Sequence, residues 1–302
     1  MPEQSERSRP DSRAPRFDLQ SHSLHSDGAL APAEVIAHAA QAGVRLVALS
    51  DHDTLVGVDE ALAAGAQLGV DVVPATEITV VDPVREDLHM LGYRVDHRDA
   101  GLLDLLARSR ADRDTRAQRM AGALRELGWT LGEQTLLRRS AVGRPVGRPH
   151  LAQAVLAEPI NAARLADEGL TDVGALIVAY LIPGAPAFVA RTMPEVPDAI
   201  AAIHDAGGVA VWAHPFWDLE DPELVIATVR RFAAAGLDGV EAFYVTHTRE
   251  QTDLLVGLCA ELSLLTTGSA DFHGPEHRLF SRFRAFSLHG HEAMLGPITR
   301  AH

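Results

Sequence analysis

A β/α barrel of the TIM type interrupted by a helical insertion is the α/β fold class this sequence predicts, and three observations predict it. Short apolar runs alternate with helix-period segments near both ends of the chain. A long arginine-rich stretch with helical patterning and no clear strand separates the two halves. His and acidic residues fall just beyond the apolar runs, where the strands of such a barrel all open on one face. The 302 residues suffice for one large domain or two modest ones, and 47% hydrophobic with 23% charged residues fits a folded globular chain.

Residues 1–16 are polar and Pro-rich with no apolar stretch, so they read as a disordered tail and not a secretory signal, and a cytoplasmic location is expected. The patterns that follow are strand 17–21, helix 32–42, strand 44–50, helix 55–68 and strand 70–80. Pro32 just inside a helix start and Gly43 just past its end obey the preference for Pro at N-termini and Gly at C-termini. Such alternation implies βαβ units with parallel strands. A further strand, 88–95, precedes the helical region 99–186, expected as an insertion covering the active site. The rhythm resumes with strands 208–213, 239–245 and 264–267 and helices 195–206, 222–235 and 248–262. The barrel is therefore expected to comprise 17–98 and 187–302. Residues 173–190 carry no charge, but Pro183, Gly184 and Pro186 break the run, which predicts a buried helix over 175–182 and a turn instead of a membrane span.

All 27 basic residues are arginine. Without lysine, no Schiff base, P-loop amine or carbamylated-lysine metal bridge can form. The lone Cys259 excludes a disulfide framework and Cys-rich metal sites, so any metal must sit on N and O ligands. Fifteen His and 41 acidic residues supply such ligands, a stock that suits Mn²⁺, Fe²⁺ or Zn²⁺. A net charge of −14 argues against adhesion to a long nucleic-acid duplex or an anionic membrane.

His22 and Asp27 follow the first strand, His52 the second, and Glu77 ends the third; His214, His247 and the pair Asp271 and His273 follow the last three. His89 lies inside its strand, where a period of two can still aim it inward. Glu77 is the candidate bridge between two cations. Asp51 reads as a residue that orients a ligand, and Asp53 as the N-cap of the helix at 55. Between Asp104 and Arg148, ten arginines stand against five acids, and guanidinium forks match phosphate oxygens. Arg108, Arg110, Arg113, Arg116 and Arg119 have the spacing of a solvated helix face. Arg144, Arg148 and His150 sit in the loop GRPVGRPH and are the expected substrate contacts.

Taken in order, DLQSHSLHSDG (18–28), LSDHDT (49–54), TEITV (76–80), LHMLGY (88–93), AHP (213–215) and GSADFHG (268–274) resemble the motifs of the PHP family, named for polymerase and histidinol phosphatase domains. GRPHLA (147–152) and EAFYVTHT (241–248) are similar to its stand-alone branch that acts on nucleotides. The resemblance implies a distorted seven-stranded barrel, two or three divalent metal ions, and hydrolysis of a phosphate ester by a metal-bridging hydroxide. It implies one metal on His22, Glu77 and the catalytic Asp271, a second on Glu77, His89 and His214, and a third on Asp27, His52 and His273. His247 or His150 would protonate the leaving oxygen, and His247 would touch substrate. The sequence departs from the family twice. Gln20 replaces the first His of the usual His-x-His, offering the first metal a weaker amide ligand, and Ala270 lengthens the last motif by one residue. The implied substrate is a 3′,5′-bisphosphonucleoside or the 5′ end of a short oligonucleotide, with another small or cyclic phosphate ester as the alternative. Two other classes compete. An amidohydrolase-type C–N hydrolase is opposed by the lack of lysine, and a degenerate, non-catalytic metal-binding barrel by the ligands retained.

Overall fold

The protein is described by a computed structural model over residues 15–132, 134, 136 and 146–299, so Arg144 and most of the expected tail lie outside the described residues. Within these, β1 (Phe17–Asp18), β2 (Leu46–Leu49), β3 (Asp71–Val81), β4 (Glu86–Tyr93), β5 (Val209–Trp212), β6 (Gly239–Tyr244) and β7 (Leu265–Ser269) form one sheet in sequence order. The Leu19 amide donates to the Gly268 carbonyl and Ser21 bridges Phe272 in parallel, which brings the first strand round to the last. Strand alternation builds two layers. Leu19, Ala48, Val73, Ala75, Leu91, Tyr93, Val209 and Val211 pack together inside the barrel. Ile78, Val80, Leu88, Met90, Ala210 and Trp212 face outward beneath the helices. Leu295 and Ile298 join the inner cluster from a C-terminal 3₁₀ turn (Gly296–Thr299), whose Ile298 carbonyl accepts from Arg94 Nε at 2.9 Å.

The parallel pairing expected from the alternation over 17–80 ends at β4, which runs antiparallel to both β3 and β5. Residues 82–85 make a short connection with no room for the crossover that a parallel pair needs. Antiparallel pairing sets Thr79 opposite His89, so the beginning of β4 and the end of β3 share one face of the barrel.

The helices are α1 (Pro32–Gln41), α2 (Val58–Leu68), α3 (Ala100–Glu126), α4 (Arg148–Leu156), α5 (Ala162–Asp167), α6 (Val173–Tyr180), α7 (Val196–Asp205), α8 (Pro215–Asp218), α9 (Pro222–Ala234) and α10 (Arg249–Leu262). α2 starts at Val58 behind its cap Gly57, three residues beyond the expected start at 55, so Asp53 is released for another role. Asp99 caps α3 by accepting the Leu102 amide at 2.8 Å. The first turns of α3 bury Leu102, Leu105 and Leu106 on the barrel. Its later turns place Ala117, Met120 and Leu124 in a second core with Trp129, Leu151, Val155, Leu176 and Tyr180. The expected buried helix near 175–182 appears as α6, which buries Leu176 and Tyr180 but exposes Val178. Among the described residues no helix is long and apolar enough to cross a membrane.

Candidate metal centre

Glu77 points into the barrel from β3 and collects four imidazoles. Its Oε1 lies 2.8 Å from His89 Nδ1 and 3.2 Å from His214 Nε2, and its Oε2 lies 3.1 Å from His22 Nε2 and 3.6 Å from His52 Nδ1. Asp271 Oδ1 is 3.0 Å from His22 Nε2. Asp27 approaches His22 Nδ1 at 3.6 Å, His52 Nε2 at 3.5 Å and His273 Nε2 at 3.4 Å. Three groups with ligand atoms inside 4.8 Å of one another result: His22 with Glu77 and Asp271; His52 with Glu77 and His89; and His22, Asp27, His52 and His273. His22 and His52 each present one ring nitrogen to each of two groups. The structure thus brings together eight of the nine expected ligands, with His214 joining through Glu77 and lying 3.4 Å from His89 Nδ1.

These donors fit divalent cations. Among the described residues, His22 Nε2, His52 Nδ1 and Asp271 Oδ1 are buried without a hydrogen-bond partner, although each faces the cluster. An orphaned buried polar atom costs about 1–3 kcal/mol, so several converging on one point mark a place for an ion. The all-N,O donor set suits Mn²⁺, Fe²⁺ or Zn²⁺.

Surrounding contacts hold the ligands in place. Asp51 accepts the Ser23 amide at 2.7 Å and the Ser23 and Ser26 hydroxyls at 2.6 Å each, pinning the loop that carries His22 and Asp27. That loop needs glycine at 28, where a Cβ would meet the His22 carbonyl oxygen at 2.2 Å. His273 Nδ1 donates to the Asp271 carbonyl at 2.7 Å, which turns Nε2 toward Asp27. The Tyr244 hydroxyl donates to Asp271 Oδ2 at 2.8 Å and leaves Oδ1 directed at His22. His214 and Asp271 adopt left-handed backbone angles, φ 31° and 52°, of the kind that costs about 1–3 kcal/mol and collects at functional sites.

The electrostatics favour cation capture. Burial would raise the Glu77 carboxyl, but the imidazoles of His52 and His89, with His214 and His22 beside them, hold it well below the usual carboxylate range. Asp271 is opposed in the same way by burial and lowered to about 2 by His273 and His22. Burial pushes His52 down to about 4, leaving its imidazole neutral and able to ligate.

Gln20, also an expected ligand, is engaged elsewhere. Its Nε2 donates to Glu77 Oε2 at 2.9 Å and its Oε1 accepts the Ser269 hydroxyl at 3.3 Å. An ionised carboxylate can only accept, so the amide must turn its nitrogen to Glu77, and that nitrogen has no lone pair for a metal. His247 is likewise set back. It is buried with Nδ1 donating to the Ala242 carbonyl at 3.1 Å, packs against Phe216 and Tyr244, and lies outside the cavity wall. Burial pushes it down to about 4, so its imidazole is neutral at neutral pH, and its one N–H is the one engaged with Ala242.

The centre opens into a cavity of about 800 Å³ whose wall includes Asp27, His52 and His89 together with Arg113, Arg116, Arg148, Arg191 and His150. The expected solvated arginine face is half wrong. Arg108 pairs with Asp104 in solvent, but Arg110, Arg113 and Arg116 form an inward stripe. Arg110 donates to the Asp53 carbonyl and Arg113 to the Asp53 carboxylate, which also accepts the Thr79 amide at 3.0 Å. Asp87 receives Arg191 Nε at 2.9 Å, Arg148 Nη2 at 2.8 Å and Arg116 Nη1 at 3.4 Å. These guanidiniums overcome its burial and keep it well below the usual range. The expected contacts Arg148 and His150 do reach the cavity, His150 with its Nδ1 accepting the Gly147 amide at 3.0 Å.

Sequence reasoning missed Arg191, Asp87, Tyr244 and Glu241. Buried Glu241 accepts the His214 amide on Oε2 at 3.0 Å, and burial raises its carboxyl to about 8, so it is protonated at neutral pH. An acidic residue in the middle of the apolar run GVEAFY was the available signal.

The family model for the PHP domain matches residues 18–140. Over 260 residues the chain is 30% identical to a 5′-3′ exoribonuclease of Haemophilus influenzae, a match spanning 86% of this chain and 90% of that one. It is 31% identical over 260 residues to a 3′,5′-nucleoside bisphosphate phosphatase of Chromobacterium violaceum, spanning 86% and 87%. A solved structure of an amidohydrolase from Chromobacterium violaceum, with bound sulfate, matches with a TM-score of 0.73 at 30% identity over 95% of this chain and 94% of that one. At such identity along nearly the whole of both partners, the chain belongs to the PHP domain family.

Proposed function

We propose that this chain is a metal-dependent phosphoesterase acting on a small nucleotide, either a 3′,5′-bisphosphonucleoside or the 5′ end of a short oligonucleotide, as the names of its relatives suggest. The observation that carries this conclusion is the meeting, in one cavity, of a carboxylate–imidazole cluster with Arg113, Arg116, Arg148 and Arg191. Cation clusters of this kind serve amide as well as phosphate hydrolysis. Guanidiniums in the same cavity select an anionic substrate, and a C–N hydrolase would leave them without a task.

Two or three divalent ions would be held by His22, Glu77 and Asp271; by Glu77, His89 and His214 with His52 alongside; and by Asp27, His52 and His273 with His22 alongside. Bound there, they would lower the pKa of a water molecule and neutralise charge on the phosphate oxygens. Glu77 divides its two oxygens between neighbouring groups, and Tyr244 fixes which oxygen of Asp271 faces inward. Arg148 and Arg191 each give Asp87 one N–H in the contacts above, and a guanidinium carries five, which leaves donors for phosphate. His150, at the cavity wall, is the proton donor to the leaving oxygen, because His247 is neutral and recessed. Residues 99–186 act as the insertion over the site, since α3, the segment before α4, and Ile182 with Pro183 all contribute to the wall. The buried, unpaired Cys259 fits a reducing, cytoplasmic compartment.

Phosphate release from 3′,5′-bisphosphoadenosine, a 5′-phosphorylated dinucleotide and a cyclic phosphate ester, each with Mn²⁺ and with chelator, tests the proposal. Release that chelation abolishes is expected for one of the first two. No release from any of the three with metal supplied overturns it.

A further inference from the structure

Trp217 lines the same cavity and is 47% exposed, and among the described residues it is the one aromatic side chain among the exposed large hydrophobics. Leaving an indole in water forgoes a large hydrophobic gain, which calls for a reason. The ring is also held rigid. It meets Phe280 at 5.6 Å and Tyr244 at 6.3 Å, both nearly edge-on, and its amide donates to the His214 carbonyl at 2.9 Å. Both supporting rings are tied to the cluster: the Tyr244 hydroxyl donates to Asp271, and the Phe280 carbonyl accepts the His273 amide at 2.9 Å. The indole is therefore registered to the reacting centre while part of its surface remains open to the cavity.

We propose that Trp217 is a stacking platform for the base of a nucleoside phosphate, so that the site selects nucleotides over base-free phosphate esters; this rests on the phosphoesterase assignment above. A flat, electron-rich ring held by its edge neighbours offers a face to any base without reading its identity, whereas Arg148 and Arg191 meet the phosphate. Stacking of one base on an aromatic side chain is worth a factor of about 5 to 150 in affinity.

The test compares W217A and W217F with the native chain on 3′,5′-bisphosphoadenosine and on a base-free ribose bisphosphate, beside a titration of the metal-free protein followed by tryptophan fluorescence. Trp129 and Trp212 are buried, so quenching by the nucleotide reports on Trp217. The expected result is a KM for the nucleotide raised about tenfold in W217A with kcat retained, no change on the base-free ester, near-native behaviour of W217F on both, and quenching that W217F lacks. Equal KM values for W217A and the native chain on the nucleotide, or an equal rise on the base-free ester, overturn the platform and leave the phosphoesterase assignment standing. Quenching without phosphate release from either compound keeps the platform and removes that assignment.

Discussion

Converting Gln20 to His should tighten the first cation site at least about tenfold, an effect of about 1.4 kcal/mol. In the native protein His22, Glu77 and Asp271 are the three side chains around that site, and Gln20 spends its amide nitrogen on Glu77 Oε2 and its oxygen on Ser269. Removing a partner that merely orients a metal ligand shifts affinity about 10–100-fold, so adding an imidazole to an incomplete set should do no less. At saturating metal, an affinity gain of that size adds about 1.4–2.7 kcal/mol of stability, or roughly 2–4 °C in Tm for a chain of this length. Gln20→Ala is the control. It removes the amide hydrogen bond to a charged acceptor, so the metal-free protein should lose about 1.5–3 kcal/mol while its metal affinity gains nothing. Metal per chain by elemental analysis after dialysis against graded Mn²⁺, with thermal melts in Mn²⁺ and in chelator, reads both quantities. Unchanged metal number and affinity in the His variant would show that position 20 does not face the cation site.

Glu77→Ala removes the carboxylate shared by four imidazoles and should abolish metal retention and lower turnover by more than about 100-fold; full activity on a metal-replete sample would refute the bridging role. Arg148→Ala should raise KM about tenfold with metal content unchanged, and native kinetics would return Arg148 to its structural partnership with Asp87. Glu241→Gln should alter the pH dependence of stability in the metal-free protein. The folded carboxyl, raised to about 8 from 4.5, contributes stability that is fully present below 4.5 and is lost as pH rises through about 8, on the order of 5 kcal/mol in all. Urea melts between pH 5 and 8 should therefore decline for the native chain and stay flatter for the variant; parallel profiles would show that burial does not hold this proton.

The barrel and the cluster of candidate ligands were legible because two regularities act locally. Strand ends of a β/α barrel converge, and period-two alternation sends Val73, Ala75 and Glu77 to the same side, so the meeting of His22, His52, Glu77, His214 and Asp271 follows from their places along the chain. His89 was legible by alternation although the direction of β4 was not, the clue being a connection of only residues 82–85. What stayed hidden depends on partners far away along the chain. Asp87 and Arg191 lie 104 residues apart, and neither carries a motif. Which side of α3 meets the cavity follows from how the insertion docks, so arginines at 110, 113 and 116 looked like the solvated ones at 108 and 119. Gln20 could be recognised as a departure, but its task depends on which end of the amide meets Glu77.

The reversed direction of β4 imposes a length constraint on α3. The chain leaves the barrel at the end remote from the metal cluster, and α3, 27 residues and about 40 Å long, carries it back. Leu102, Leu105 and Leu106 anchor the rod on the barrel, and Arg110, Arg113 and Arg116 deliver charge at the other level. The helix therefore works as a ruler. One residue inserted between anchor and arginines would advance them about 1.5 Å and swing them about 100° round the axis, off the cavity, and would turn Ala117, Met120 and Leu124 by the same angle relative to the anchor. Spacing along this rod is thus held more tightly than composition, and drift in the reach of the anion-binding arm can proceed only in steps that restore the helical phase.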